Sequence, residues 1–330
     1  MWLKVFLKFL FAFLIIYWLL TSGKLDFSMV QKAFSEGYLW ALAISLIIIQ
    51  ATLGAVRWRI LLRVRIKKEL PIIDMLRLNW IGLFFNSFLP GAVTGDFIKL
   101  VYARDLDREV SKTFLVMSVL MDRVIGLMGL LCILGIFSTV YYSEITAISP
   151  QLTYLIHFNF LLFTGAIVFI IMLFVPKRIQ QLVLNLVSKI PLLGARIEKT
   201  LSQVWAFGED KSVMVKTLAI SMICQFLGFL AFWIISHPFY GKAIPLPFIM
   251  TFIPIGFMAT AIPITPAGLG IGHAIFDKLF HFAGVDGGAS FFNLFFVCMV
   301  MVNLLGIIPY LLSGKRHKLS EAHQFDDVNA

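Results

Sequence analysis

The chain has 330 residues, 60% of them hydrophobic and only 14% charged, so it carries more apolar side chain than a water-soluble domain of this length can bury. Its formal charge of +10 does not indicate a nucleic-acid partner, because Lys and Arg gather in short segments beside apolar runs rather than on one soluble face. Cys132, Cys224 and Cys298 lie inside apolar runs with no paired spacing and no accompanying His cluster, which argues against disulfides and against zinc.

Taken in chain order, apolar runs cover residues 5–22, 38–56, 113–140, 151–175 and 213–236, with a sixth at 288–312. Each approaches the ~20 residues that cross a hydrocarbon core ~30 Å thick. The first run follows Lys4 and Lys8, and no small-x-small cleavage site follows between Trp18 and Gly23, so it reads as a retained span. Residues 72–98 and 246–284 are also apolar but are broken by Pro and Gly. Between spans, Ile179, Leu182, Val183, Leu186, Val187 and Ile190 recur at helical spacing up to Pro191 and Gly194, and Ile197, Leu201, Val204 and Trp205 resume the pattern. Residues 177–207 therefore predict two amphipathic helices at the cytoplasmic interface, whose simplest role is a connector. The expected fold is all-α: a polytopic integral membrane helical bundle with about six full spans, one domain over 1–313 and a short polar cytoplasmic tail over 314–330.

Residues 57–68 hold Arg57, Arg59, Arg63, Arg65, Lys67 and Lys68, the strongest basic segment, which the positive-inside rule places in the cytoplasm. The 141–150 loop has no Lys or Arg, whereas 176–211 has six, so the first is expected outside and the second inside. Both flanks of 72–98 are then cytoplasmic, and a segment too short for two ordinary spans becomes a re-entrant hairpin. Its turn is supplied by Pro90, Gly91 and Gly95, and non-helical backbone at that depth must be covered by protein or line a wet cavity. At the other end, 246–284 breaks at Pro263, Pro266, Gly268 and Gly270. It enters and leaves from outside, or makes two full crossings; parity permits both. Two broken hairpins entering from opposite sides match the inverted plan of secondary transporters, although no residue-by-residue repeat supports it. Both termini are expected in the cytoplasm of an inner or plasma membrane.

Asp122 and Arg123 lie ten and eleven residues past Lys112, about 15 Å along a helix and hence near the bilayer middle. Charges there are costly unless paired or wet. Adjacent helical residues diverge by about 100°, so each is expected to seek a different partner. Arg123 reads as a receptor for an anionic phosphate, which guanidinium binds bidentately, or as half of a buried ion pair that fixes packing. Asn86 precedes the first turn, and Asp96 and Lys99 follow it; Asp96 reads as a helix-start residue or as the partner of Arg123. His273, Asp277 and His281 share i, i+4, i+8 spacing with Lys278 beside them, which suits a polar cavity-facing stripe. The same spacing fits metal ligands or a proton relay, but no H-E-x-x-H motif supports a metal. Gly268-Leu-Gly-Ile-Gly272 follows no strand and does not make a nucleotide site, so no cofactor is expected.

Asn86-x-x-Leu-Pro-Gly-x-x-x-Gly-Asp96 with Lys99, the Asp122-Arg123 pair, and Pro263-x-Thr-Pro-Ala-Gly-Leu-Gly together resemble the lysylphosphatidylglycerol synthase transmembrane family, also called flippase-like domain proteins. The resemblance covers nearly the whole chain. Where that family usually shows Gly-Gly-Asp then Arg, this chain has Thr94-Gly95-Asp96 and Lys99, and His273 stands in place of an acidic residue. In two-part members, a membrane domain of this kind moves aminoacylated phospholipid that a soluble domain makes. The resemblance, without that soluble domain, implies a non-enzymatic lipid flippase. Asn86, Asp96, Lys99, Asp122, Arg123, His273 and Asp277 are its candidate contacts to an anionic phospholipid or lipid-linked headgroup. The alternatives are a non-transporting membrane partner of a lipid-modifying enzyme, docking through 177–207, and a small-anion transporter.

The topology has a direct check. In a background lacking the three native cysteines, single cysteines at Arg65, Lys112, Arg196 and Lys318 are expected to react with impermeant thiol reagents only from the cytoplasmic side. Those at Ser143 and Lys242 should react only from outside. External labelling at Lys112 would rule out the first re-entrant hairpin.

Overall fold

The computed structural model describes residues 31–33, 35, 37–88, 94–106, 110–148, 150–190, 194–241, 244–261 and 271–312. The run at 5–22, the turn residues Pro90, Gly91, Pro263, Pro266, Gly268 and Gly270, and the 314–330 tail lie outside the described residues. Among the described residues there is no strand, and the elements are α1 (Tyr38–Leu62), α2 (Ile72–Phe88), α3 (Thr94–Leu106), α4 (Lys112–Val140), α5 (Tyr142–Thr146), α6 (Pro150–Leu173), α7 (Lys177–Val187), α8 (Gly194–Gly208), α9 (Lys211–Tyr240), α10 (Leu246–Thr260), α11 (Ile271–Phe282), α12 (Gly288–Leu304) and α13 (Ile307–Leu312). The fold is an all-α polytopic helical bundle.

Among the described residues, five helical segments are long and apolar enough to cross a membrane: α1, α4, α6, α9 and the α12–α13 pair. They coincide with five of the six runs read from the sequence. Two begin at side-chain caps that supply a partner to otherwise orphaned backbone donors. Ser111 Oγ accepts from Phe114 N–H at the start of α4, and the Asp210 carboxylate accepts from Val213 N–H at the start of α9. The apolar segments with internal breaks form shorter helices. At ~1.5 Å per residue, α2 and α3 are about 25 and 20 Å long, and α10 and α11 about 22 and 18 Å, each short of a ~30 Å crossing. Each pair packs against itself, α2 on α3 and α10 on α11.

Helix α4 is the most buried span, and α1 and α9 pack along each other beside it. Two apolar cores share these three helices. One takes Trp58, Leu61 and Leu62 of α1, Phe114 to Ile125 of α4 and the buried faces of α2 and α3. The other takes Ile47 of α1, Met128 to Ile133 of α4, Phe229 to Ile235 of α9 and most of α10 to α12. Its centre is aromatic: the Phe232 ring meets Phe291, Phe295, Phe276 and Phe257 within 5.8 Å centroid separation. Such offset and edge contacts add to area burial. Polar ties join the helices where apolar packing alone gives no register. Asn79 Nδ2 donates to Ala51 O, linking α2 to α1. Asn159 Nδ2 on α6 donates to Ser138 Oγ and Thr251 O, linking α4 and α10.

The segment 177–207 forms the two expected helices, α7 and α8, separated near Pro191. The apolar residues Ile179, Leu182, Leu186 and Ile190 are exposed, and α7 buries none of its residues in the protein. Trp205 Nε1 donates to Met172 O and anchors α8 to the end of α6.

Close helix contact depends on small residues. A Cβ on Gly129 of α4 would lie 2.6 Å from Ser221 Cβ and 2.8 Å from the Ser221 carbonyl carbon on α9, whereas one on Gly54 of α1 would meet nothing within 4 Å. Gly129→Leu is therefore expected to separate α4 from α9 and to destabilise the protein by about 1–3 kcal/mol or more. Gly54→Ala should be neutral or stabilise by up to ~1 kcal/mol. Thermal unfolding in detergent, followed by monodisperse elution, measures both.

Candidate functional site

Two ion pairs of the bundle interior are built around Asp122 and Arg123 of α4. Arg57, on the last turns of α1, is 12% exposed and forks onto Asp122 of α4, with Nε donating to Oδ1 at 2.8 Å and Nη2 to Oδ2 at 3.0 Å. Its remaining nitrogen, Nη1, donates to Ser221 Oγ on α9 at 2.9 Å. Gly126 lies one turn beyond Asp122 on the same face of α4, and a Cβ there would come 3.3 Å from Arg57 Nη1. The glycine leaves room for the guanidinium. The pair is bidentate and enclosed, the geometry in which an internal ion pair offsets its desolvation.

Arg123, the next residue, points to another helix. Its Nε and Nη2 both donate to Asp96 Oδ2, at 2.8 and 2.6 Å. The Arg123 side chain is 40% exposed, whereas that of Asp96 is 13% exposed. Lys99, one turn along α3, has its Nζ 3.8 Å from Asp96 Oδ1 and 4.1 Å from the ring centroid of Trp58. Lys99 and Trp58 are both buried. Trp58 Nε1 donates to Ser118 Oγ of α4, so the indole is fixed on one edge while its face takes the ammonium by cation–π attraction. One carboxylate thus serves two cations.

The start of α3 is placed by Asn86 and by two glycines. Asn86 Oδ1 accepts from Gly95 N–H at 2.9 Å, holding the end of α2 to the first turn of α3. A Cβ on Gly95 would fall 2.1 Å from Gly82 O, so only glycine permits this approach. Asp96 then lies in the first turn of its helix, where a carboxylate is favoured by the helix dipole, and also on Arg123; both readings of this residue apply.

Asn86 also borders a cleft of ≈ 200 Å³ between α2, α10 and α12. Ser87, Thr260 and Asn303 line it with Phe257, Phe292, Phe295, Phe296, Met299 and Val300, and Asn303 Nδ2 donates to Ser87 Oγ at 2.9 Å. The ends of α2 and α10, which lead into the two breaking sequences, therefore flank one space.

Four of the seven sequence-derived site residues, Asn86, Asp96, Lys99 and Arg123, are brought together. Asp122 sits beside them but turns to Arg57. His273 is not part of this cluster: it is buried on α11 and its Nε2 meets Asn293 Oδ1 of α12. Asp277 is exposed, and exposed His281 faces exposed Asp286 at 3.6 Å, so the three residues of the expected stripe on α11 do not share one environment. The reason is that α12 packs over the Phe276 and Phe280 side of α11, taking His273 with it and leaving Asp277 and His281 outside. Arg57 is the residue that sequence reading misplaces. The apolar run stops at Val56 and puts Arg57 in the basic loop, whereas α1 continues to Leu62. A signal for the longer helix exists: Ala55, Trp58, Leu61 and Leu62 keep helical apolar spacing and are all buried.

The profile of the Lysylphosphatidylglycerol synthase TM region matches residues 5–312. The chain belongs to this family. The match spans the bundle, both broken helix pairs and the ion-pair cluster, and it makes the chain a multi-pass membrane protein related to lipid handling. No curated protein and no solved structure matches the chain.

The two ion pairs predict different consequences. Asp122→Asn leaves Arg57 enclosed and without its counter-charge, and is expected to cost about 3–5 kcal/mol of stability. Replacing both partners, as in Arg57→Met with Asp122→Leu, should recover much of that loss. Arg123→Ala, at a partly exposed position, should cost no more than ~1 kcal/mol. Unfolding temperatures of these variants and the wild type, compared in one detergent, provide the measurement.

Proposed function

We propose that the protein moves an anionic phospholipid or lipid-linked headgroup between leaflets, with the headgroup bound at Arg123, Asp96, Lys99 and Asn86. The observation that carries this reading is the charge balance beside α4. Among the described residues, Arg123 and Lys99 both reach the carboxylate of Asp96, and the more exposed of the two cations lies about 16 Å into a membrane-spanning helix. A partly exposed guanidinium at that depth is stabilised by an anion that can come and go, and its fork matches phosphate. Asp122 supports the site from behind by holding Arg57 in place.

The same reading treats α2–α3 and α10–α11 as re-entrant pairs entering from opposite sides, supported by their length, by their packing within each pair and by the common cleft between α2 and α10. The exposed apolar face of α7 then rests at the cytoplasmic surface of the bilayer, with Lys177, Arg178 and Lys189 toward lipid headgroups. No catalytic step is part of this function; the side chains at the site bind and release.

The test is the rate at which fluorescent anionic lipids change leaflet in proteoliposomes. Arg123→Ala is expected to slow exchange by ~10–100-fold, the worth of a lost charge-assisted contact. Arg123→Lys should recover only part, because ammonium cannot reproduce a bidentate contact. Asp96→Asn should also slow exchange, since it keeps the side-chain shape and removes the counter-charge. Undiminished exchange by a monodisperse Arg123→Ala protein would refute the assigned role. Wild-type protein that moves none of several anionic lipids would favour the reading as a partner of a lipid-modifying enzyme.

A further inference from the structure

A membrane lipid has three chemically distinct zones: a charged head, a belt of ester carbonyls and apolar chains. The cluster at Arg123 addresses only the first. The cleft between α2, α10 and α12 offers what the other two require, and Asn86 belongs to both places, since it caps Gly95 beside Asp96 and also borders the cleft. Along α12 the cleft runs from Asn303 to Phe292, eleven residues or about 16 Å. Its character changes over that length. At one end lie Asn86, Ser87 and Asn303. Asn86 has its carbonyl oxygen committed to Gly95, so what it can offer a ligand is the amide N–H pair, which suits an ester carbonyl. Toward the other end the wall is Phe257, Phe292, Phe295 and Phe296. Thr260 is polar by name only there, because its hydroxyl donates back to Phe257 O at 2.8 Å and leaves the methyl group for packing.

The phenylalanine end suits hydrocarbon rather than water, and ≈ 200 Å³ exceeds the ~150 Å³ of an apolar cavity that takes up benzene. That accommodates part of one chain. We propose that the cleft is an acyl-chain site, holding one chain of an anionic phospholipid by its upper methylenes with the ester belt at the amide N–H groups of Asn86 and Asn303. The inference rests on the headgroup reading given above and adds the hydrophobic half of the same ligand. It makes the protein a reader of chains as well as heads: a free headgroup lacking chains is a poor ligand, and chains enter between the broken helix pairs rather than trailing in bulk lipid.

The experiment uses the full chain in liposomes containing phosphatidylglycerol with a photoreactive diazirine in the middle of one acyl chain. After illumination, adducts are mapped by peptide mass spectrometry. Adducts on Phe257 and Phe296 are expected to exceed those on Leu304, an exposed position on the same helix α12 that reports surrounding lipid, by about five-fold or more. Met299→Trp, which fills the cleft, should lower the Phe257 and Phe296 adducts about five-fold and leave those on Leu304 unchanged. Lipid exchange is measured in the same vesicles. Cleft adducts no more frequent than those on Leu304, in a protein that moves lipid, overturn the chain site and leave the headgroup reading standing. Strong cleft adducts in a protein that moves no lipid do the reverse. Unchanged cleft adducts in monodisperse Met299→Trp protein also overturn the site, and if that variant aggregates, the wild-type ratio decides alone.

Discussion

Two adjacent charged residues in the middle of an apolar helix cannot share a partner, and the arrangement of the bundle around α4 follows from that constraint. Successive helical positions diverge by about 100°, and hydrocarbon leaves neither charge the option of water. Asp122 faces α1 and α9, where Arg57 and Ser221 complete its surroundings. Arg123 faces α3, where Asp96 receives it. A dipeptide thereby ties one helix to three others. Apolar packing, which is non-directional, would leave the rotation and axial register of α4 poorly determined. The bidentate pair supplies both, and the glycines Gly126, Gly129 and Gly95 supply the clearance that lets the neighbouring elements reach the distances the pairs require.

The two pairs are not equivalent. Arg57 and Asp122 are enclosed to a similar degree, use both carboxylate oxygens and spend the last guanidinium nitrogen on a hydroxyl, so little remains to offer a ligand. Arg123 directs two nitrogens onto a single oxygen of Asp96 and keeps a side chain 40% exposed. One pair is closed and mechanical. The other is partly exposed, and its carboxylate lies in the first turn of α3. That division of labour is why removing Asp122 and removing Arg123 should have opposite signatures, one in stability and one in activity.

Much of this is legible in the sequence. Spans are legible because a water-soluble fold rarely buries ~20 consecutive apolar residues in one helix, and the five described ones fall where composition puts them. The breaks are legible because Pro and Gly change what the backbone can do, and the divergence of Asp122 from Arg123 follows from helical geometry alone. What fails is information that only long-range packing creates. Arg57 counts as a loop charge because the positive-inside rule sums Lys and Arg without asking whether the helix has ended. Its partner Asp122 is 65 positions away. His273, Asp277 and His281 do share a face in sequence, yet which part of that face α12 covers depends on how Phe276 and Phe280 pair with Phe292 and Phe291 of a different helix. Ser221 and Asn303 carry no sequence signal of their own, since a lone Ser or Asn in an apolar run is usually a local hydrogen-bonding residue.

On the proposed reading, Lys99 lets the open pair exchange a ligand without leaving a bare charge. An anion that takes Arg123 from Asp96 would, in an apolar interior, leave the carboxylate uncompensated at a cost of several kcal/mol. Lys99 removes that penalty. It stays buried, its ammonium lies against the Trp58 face, and its Nζ is already on the far oxygen of Asp96. Among the described residues, the two cations and the one carboxylate sum to +1, which on the proposed reading a monoanionic headgroup brings to zero. A point-like ammonium suits the inner position, where its stem passes Gly82 and its head lies between the Trp58 ring and Asp96. A planar guanidinium suits the outer one, where it can hold a carboxylate and a phosphate in turn through the same fork. On the proposed reading, the more exposed guanidinium of Arg123 and the buried ammonium of Lys99 suit reversible anion binding, because the outer cation can change partner while the inner one stays on Asp96.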